Sequence, residues 1–181
     1  MRNRCNSNNP LRYLNKAFIV SLLLGAIIAA SSWTYYDAIP TGPYQLIYPA
    51  NFGNRINVPE DNPTTKQGVY LGRALFYETR LSANNTLSCS SCHKQELAFT
   101  DGLAFSKGVD GVLTPRNSMS LANLLWTRKF FWDGRAGSLE EQAAVPLTNP
   151  HEMGQERAVS AKKLSATNLY PMLFKQVYGD E

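Results

Sequence analysis

The sequence predicts an all-α domain with long loops, preceded by a hydrophobic N-terminal helix, and three observations carry that expectation. Tyr70, Leu71, Ala74, Leu75 and Tyr77 recur at separations of three and four, the spacing of one helix face. Helix boundary signals bracket other stretches: Ser138 with Glu141 forms a capping box, and Pro171 and Gly179 suit a first turn and a stop. Ala17 to Tyr36 is a run of twenty residues without a charge.

Taken in order, residues 1–36 read as a signal peptide or membrane anchor. Arg2, Arg4, Arg12 and Lys16 precede the apolar run with no acid among them. Twenty helical residues span about 30 Å, enough to cross a bilayer core, while the most apolar part, Ala17 to Ala30, has the length of a signal-peptide core. Ala29-Ala30-Ser31 offers a small-residue cleavage site, and Trp33, Tyr35 and Tyr36 suit the aromatic belt of an uncleaved anchor. Both readings leave the basic end in the cytoplasm and the rest outside.

Residues 37–63 carry five prolines and read as an extended linker. The domain proper, 64–181, opens with a helix capped at Thr64 or Thr65 and running to about Glu78. Gly68 and Gly72 on this helix read either as tolerated or as room for a close neighbour. Leu81 to Ser91 reads as a loop, Cys92 to Glu96 as a short helix and Leu97 to Arg116 as irregular. Helices then follow ahead of Pro146, over Glu156 to Leu164 and over Tyr170 to Tyr178.

The net charge of +4 resides entirely in the leader, since the chain from residue 33 onward holds 14 of the 18 basic residues and all 14 acidic ones. A neutral body excludes nucleic acid as a partner, because phosphate binding needs basic residues concentrated on the folded domain. Three cysteines make no disulfide framework, and Cys5 lies before the apolar run. Cys89-Ser90-Ser91-Cys92-His93 remains. Two thiols at this spacing reach the two vinyl groups of one porphyrin, and the adjoining imidazole meets its iron, so the motif predicts one covalent haem c with His93 as proximal ligand. A zinc half-site would want two further Cys or His ligands and a thioredoxin-like pair would want a βαβ pattern. Met119, His151, Met153 and Met172 are the candidates for a sixth ligand.

The sequence resembles the bacterial dihaem cytochrome c peroxidases and their methylamine-utilisation relatives. The resemblance rests on Leu71 to Tyr77 with Arg80-Leu81-Ser82, on Cys89 to His93, Phe99 to Gly102 and Pro115 to Ser118, and on Phe131 to Ala136, Leu139 to Ala143 and Pro146 to Gly154. It implies a cytochrome c-like haem domain in the periplasm, soluble after cleavage or anchored to the inner membrane, that reduces hydrogen peroxide to water. It further implies that Glu152 is the distal carboxylate moving the peroxide proton, Gln142 the amide that orients peroxide and Pro146 the residue crowding that pocket. Trp132 becomes the relay between haems, and Asn117 a ligand of a calcium ion. The loop Ser106 to Gly111 lacks the histidine that caps the resting iron in many members, which leaves the resting haem open. No second CxxCH follows, so the expected electron source is an external donor cytochrome or a second haem domain. The alternative is a monohaem electron carrier with Met153 as sixth ligand.

Overall fold

The computed structural model describes residues 18–28, 39–53, 55–56 and 58–179. The basic residues before the apolar run, Cys5, the Ala29-Ala30-Ser31 site and Trp33, Tyr35 and Tyr36 lie outside them. The chain divides into two units, Met1–Pro40 and Thr41–Glu181. In the first, residues 18–28 form helix α1 with exposed apolar side chains such as Phe18, Leu22 and Ile27. No helix among the described residues is long and apolar enough to cross a membrane.

The second unit is helical with long loops and, among the described residues, contains only isolated β-bridges rather than strands. Helix α2 (Lys66–Phe76) starts at Thr65, whose hydroxyl accepts the Gly68 N–H at 3.0 Å. A side chain at Gly68 would crowd that hydroxyl, whereas Gly72 faces open space, so only the first of the two glycines marks a close approach. The helix stops at Phe76, short of the expected Glu78. Tyr77 leaves helical geometry, and a 3₁₀ turn, Thr79–Leu81, takes over.

Leu71 on α2 is buried against a corner built from α5 (Arg157–Ser165) and α6 (Leu169–Tyr178), which supply Leu164, Tyr170 and Leu173. Tyr170 donates its hydroxyl to the Ala74 carbonyl at 3.3 Å, tying α6 to α2. Full burial of side chains of this size contributes ~1.5–3 kcal/mol each, so this corner is the apolar anchor of the unit. Residues 41–53 remain without an α-helix apart from a 3₁₀ turn, Ala50–Phe52. They are fastened by the Tyr44 N–H to Thr64 O bond (3.1 Å) and by Tyr48 and Phe52 packing on Trp126.

Helix α3 (Cys89–Cys92) is a single turn that begins earlier than the expected Cys92–Glu96 helix, because Ser88 and Ser91 close a reciprocal capping box. A separate 3₁₀ turn, Gln95–Leu97, follows. Helix α4 (Leu139–Thr148) starts at Ser138, whose hydroxyl accepts the Glu141 N–H at 3.1 Å. It runs through Pro146 instead of ending ahead of it. The carbonyls of its last turn, which have no partner inside the helix, are served by the returning chain: Met153 N–H donates to Pro146 O (3.1 Å) and Gln155 N–H to Leu147 O (2.9 Å).

Candidate haem site

Cys89 and Cys92 lie three apart on α3 and so share one face of a helical turn. His93 is the C-cap, with φ −123° and ψ 74°, and its ring leaves the helix there. Nδ1 lies 2.8 Å from the Phe99 carbonyl oxygen. A carbonyl only accepts, so Nδ1 carries the proton and Nε2 keeps its lone pair for a metal. The acceptor is positioned by a tight turn in which Lys94 N–H bonds Thr100 O (2.9 Å) and Phe99 N–H bonds Lys94 O (2.8 Å). Ala98 and Phe99 hold left-handed φ values of 54° and 61° to make that turn, and the Phe99 ring meets Phe76 of α2 edge-on, 6.1 Å between centroids.

Burial raises the pKa of both thiols; the charges of Asp101 and Glu152 push Cys92 up further, while hydrogen bonds from Ser106 and Ser118 oppose this. A cleft of about 550 Å³ opens at Cys92, lined among others by Leu87, Asp101, Leu103, Lys107 and Val109. Leu97, Leu103, Val112 and Leu113 are exposed apolar side chains in the same stretch. Paired thiols, an imidazole with a free Nε2 and apolar walls are the donor set of a covalently held haem, and the residues fit that group. Cys89 and Cys92 would hold it and His93 would ligate its iron.

Of the residues expected on the distal side, Gln142 and Pro146 lie on α4 and Glu152 in the segment after it. Asn149 Nδ2 donates to Glu152 Oε1 at 2.8 Å, and the Glu152 carbonyl accepts the Val109 N–H at 2.8 Å. Gly108 packs so tightly here that a Cβ would stand 1.9 Å from the His151 carbonyl oxygen. His151 itself turns outward, its Nδ1 2.8 Å from Asp110 Oδ2. Gln142 and Pro146 are half-buried, one turn apart on α4. Met153 is buried, its backbone bonded to Pro146 O and, through its own carbonyl, to the Ala83 N–H.

Trp132 stands apart from this group, 60% exposed, with its indole N–H 3.3 Å from the Asn117 carbonyl. Asp133 beside it bridges Arg116 and Arg135 at 2.9 Å each, and these guanidiniums, Arg116 first, hold its carboxyl down at about 2. Among the described residues no three His, Cys, Asp or Glu side chains gather as a metal site, and Asn117 is exposed. The sequence reading missed the Phe99 carbonyl, Gly108 and the Asp110–His151 pair. Only the Ser88-x-x-Ser91 spacing, also passed over, carried a readable signal for the start of α3.

Residues 66–181 match the family described as di-haem cytochrome c peroxidase. The methylamine utilization protein MauG of Methylorubrum extorquens is 42% identical over 123 residues, covering 68% of this chain and 35% of that protein. The cytochrome c peroxidase Ccp of Escherichia coli is 37% identical over 131 residues, covering 72% and 27%. A solved MauG-like protein associated with microbial copper homeostasis superposes with a TM-score of 0.69 at 39% identity, covering 75% of this chain and 40% of that one. The chain thus spans well under half the length of each of these relatives. The match over residues 66–181, well over half of the chain, makes it a member of the di-haem cytochrome c peroxidase family.

Proposed function

We propose that this chain is a peroxidatic c-type haem domain, exported to the periplasm, that reduces hydrogen peroxide to water. The carrying observation is the pairing of His93, whose Nδ1 is fixed on Phe99 O, with a carboxylate residue, Glu152, whose carbonyl is bonded to Val109 in the wall of the cleft that opens at Cys92. Family membership and relatives named cytochrome c peroxidase support the same reading. A haem held by Cys89, Cys92 and His93 would supply the redox chemistry by which peroxide is reduced. Glu152 takes the proton from the near peroxide oxygen and returns it to the far one as the O–O bond breaks, a task suited to a carboxylate within reach of both. Gln142 would orient the peroxide by its amide dipole, and Pro146 would narrow the pocket that holds it. Overall, one peroxide, two protons and two electrons give two waters. The electrons come from a donor cytochrome or second haem domain, with the exposed Trp132 as relay, and a calcium ion at Asn117 belongs to the same docked arrangement.

The test is a single turnover with stoichiometric peroxide on the haem-loaded chain. Glu152→Gln keeps size and haem content and is expected to slow the reaction by ~10² to 10⁴, the usual contribution of a positioned acid/base. Equal rates remove Glu152 from the mechanism. No reaction in either protein, with a low-spin spectrum lost in Met153→Ala, moves the assignment to electron carriage.

A further inference from the structure

We propose that the Lys163 ammonium is the tethered occupant of a monovalent-cation cage, and that it positions the segment carrying Glu152. The second half rests on the peroxidatic reading above. On α5, Lys163 Nζ donates to Ser82 O at 2.9 Å, to Asn85 Oδ1 at 2.7 Å, to Ala83 O at 3.4 Å and to Gln155 Oε1. All four acceptors are neutral amide oxygens. Such a set suits one compact positive charge, whereas calcium takes six to eight oxygens that include carboxylates.

The acceptors come from two places that matter to the site. Ser82, with no exposed surface, gives its hydroxyl oxygen to the N–H groups of Thr86 and Leu87, the residues leading into Ser88 and the haem turn. Gln155 lies three residues past Glu152 and is buried. Its backbone N–H reaches Leu147 O of α4, and its side-chain amide reaches Arg80 O and Ser160 Oγ. Between them, Ala83 N–H holds Met153 O at 2.9 Å. One positive charge therefore draws together the strand of chain entering the haem turn and the strand leaving Glu152. Without it, the carbonyl oxygens that face Nζ repel one another and the two segments lose their common fastening.

Two variants test this in the haem-loaded chain. Lys163→Met keeps the stem and removes the charge, and Lys163→Ala opens the cage to ammonium or ethylammonium chloride, with sodium chloride as the ionic-strength control. Both variants are expected to unfold at lower temperature, to change ferric cyanide affinity and to react with peroxide about tenfold more slowly or worse, the scale on which misplaced catalytic groups are felt. Ethylammonium restores Lys163→Ala and leaves Lys163→Met unchanged, because the Met stem fills the space. In a Glu152→Gln background, Lys163→Met adds no further slowing if it acts through Glu152. Wild-type behaviour of Lys163→Met overturns the proposal, as does Lys163→Ala that ignores the amine; additive slowing in the double variant overturns the positioning half. Should Lys163→Ala fail to accumulate, Lys163→Met decides. If the wild type itself does not react with peroxide, the peroxidatic reading falls, and the unfolding midpoint and cyanide affinity still read the cage.

Discussion

The backbone bonds of the turn that sets the His93 ring close within residues 88–101, with Ser120 Oγ–H reaching Ala98 O (2.7 Å) and Phe76 meeting Phe99 from outside, whereas the segment carrying Glu152 is held from distant loops. On the proximal side, the Ser88–Ser91 capping box, the Lys94–Thr100 pairing and the Phe99 acceptor all lie within one short stretch. In the Glu152 segment, Met153 is tied to Ala83, Glu152 to Val109 and His151 to Asp110, the last across 41 positions. A locally closed turn forms with little loop-closure entropy, while the long-range assembly forms only when several loops are already docked. Damage to the first should therefore come mainly from changes inside it or at its two outside contacts, Ser120 and Phe76, and damage to the second can originate far away in sequence.

The largest expected effect is on attachment itself. Changing Cys89 and Cys92 together to Ala should abolish covalent haem, read as loss of colour from the denatured chain on acid-organic extraction; retained haem would exclude the thioether assignment. Next comes Gly108→Ala. Its Cβ would lie 1.9 Å from the backbone oxygen of His151, so the distal turn must move, and a peroxide rate lowered about tenfold or more is expected with covalent haem intact. Loss of haem along with rate would show that the two regions are not separable. Ser88→Ala should act on the other side alone, costing about 1 kcal/mol of stability as a lost cap, measured by denaturant unfolding, with the peroxide rate preserved.

The smallest effect concerns Asp110, whose carboxyl is held below its ordinary 3.8 mainly by the hydrogen bond with His151 and then by the Val112 N–H. A depressed folded value contributes stability above pH 3.8 that is lost as pH falls through the lower folded value. The unfolding midpoints of wild type and Asp110→Asn should therefore differ above that pH and converge below it. Asp110 is exposed, so added salt should shrink the difference. Curves that stay parallel to low pH would remove Asp110 from the distal fastening.

The same contrast explains what was legible in the sequence. Cys89, Cys92 and His93 lie within five residues, so their chemistry could be read directly, and α2 announced itself by apolar spacing and α4 and α6 by their boundary residues. Pro146 was read as a stop, because local rules do not show that Met153 and Gln155 return to serve the end of α4. The Asp110–His151 and Lys163 contacts join residues far apart, and several of their acceptors are backbone oxygens that no letter encodes. Phe99 was invisible for a related reason: left-handed φ at Ala98 and Phe99 carries no glycine to mark it.

That hidden acceptor has an evolutionary consequence. Because the oxygen facing His93 belongs to the main chain, no point substitution at residue 99 can delete it. Replacing Phe99 alters what meets Phe76 and how readily the turn accepts φ of 61°, yet the acceptor survives. A left-handed residue other than glycine carries a strain of roughly 1–2 kcal/mol, so Gly or Asn at 98 or 99 would relax the turn without erasing its role. Substitution at this position should thus be tolerated so long as the backbone keeps its shape, and the orientation of the His93 imidazole is set by conformation instead of residue identity.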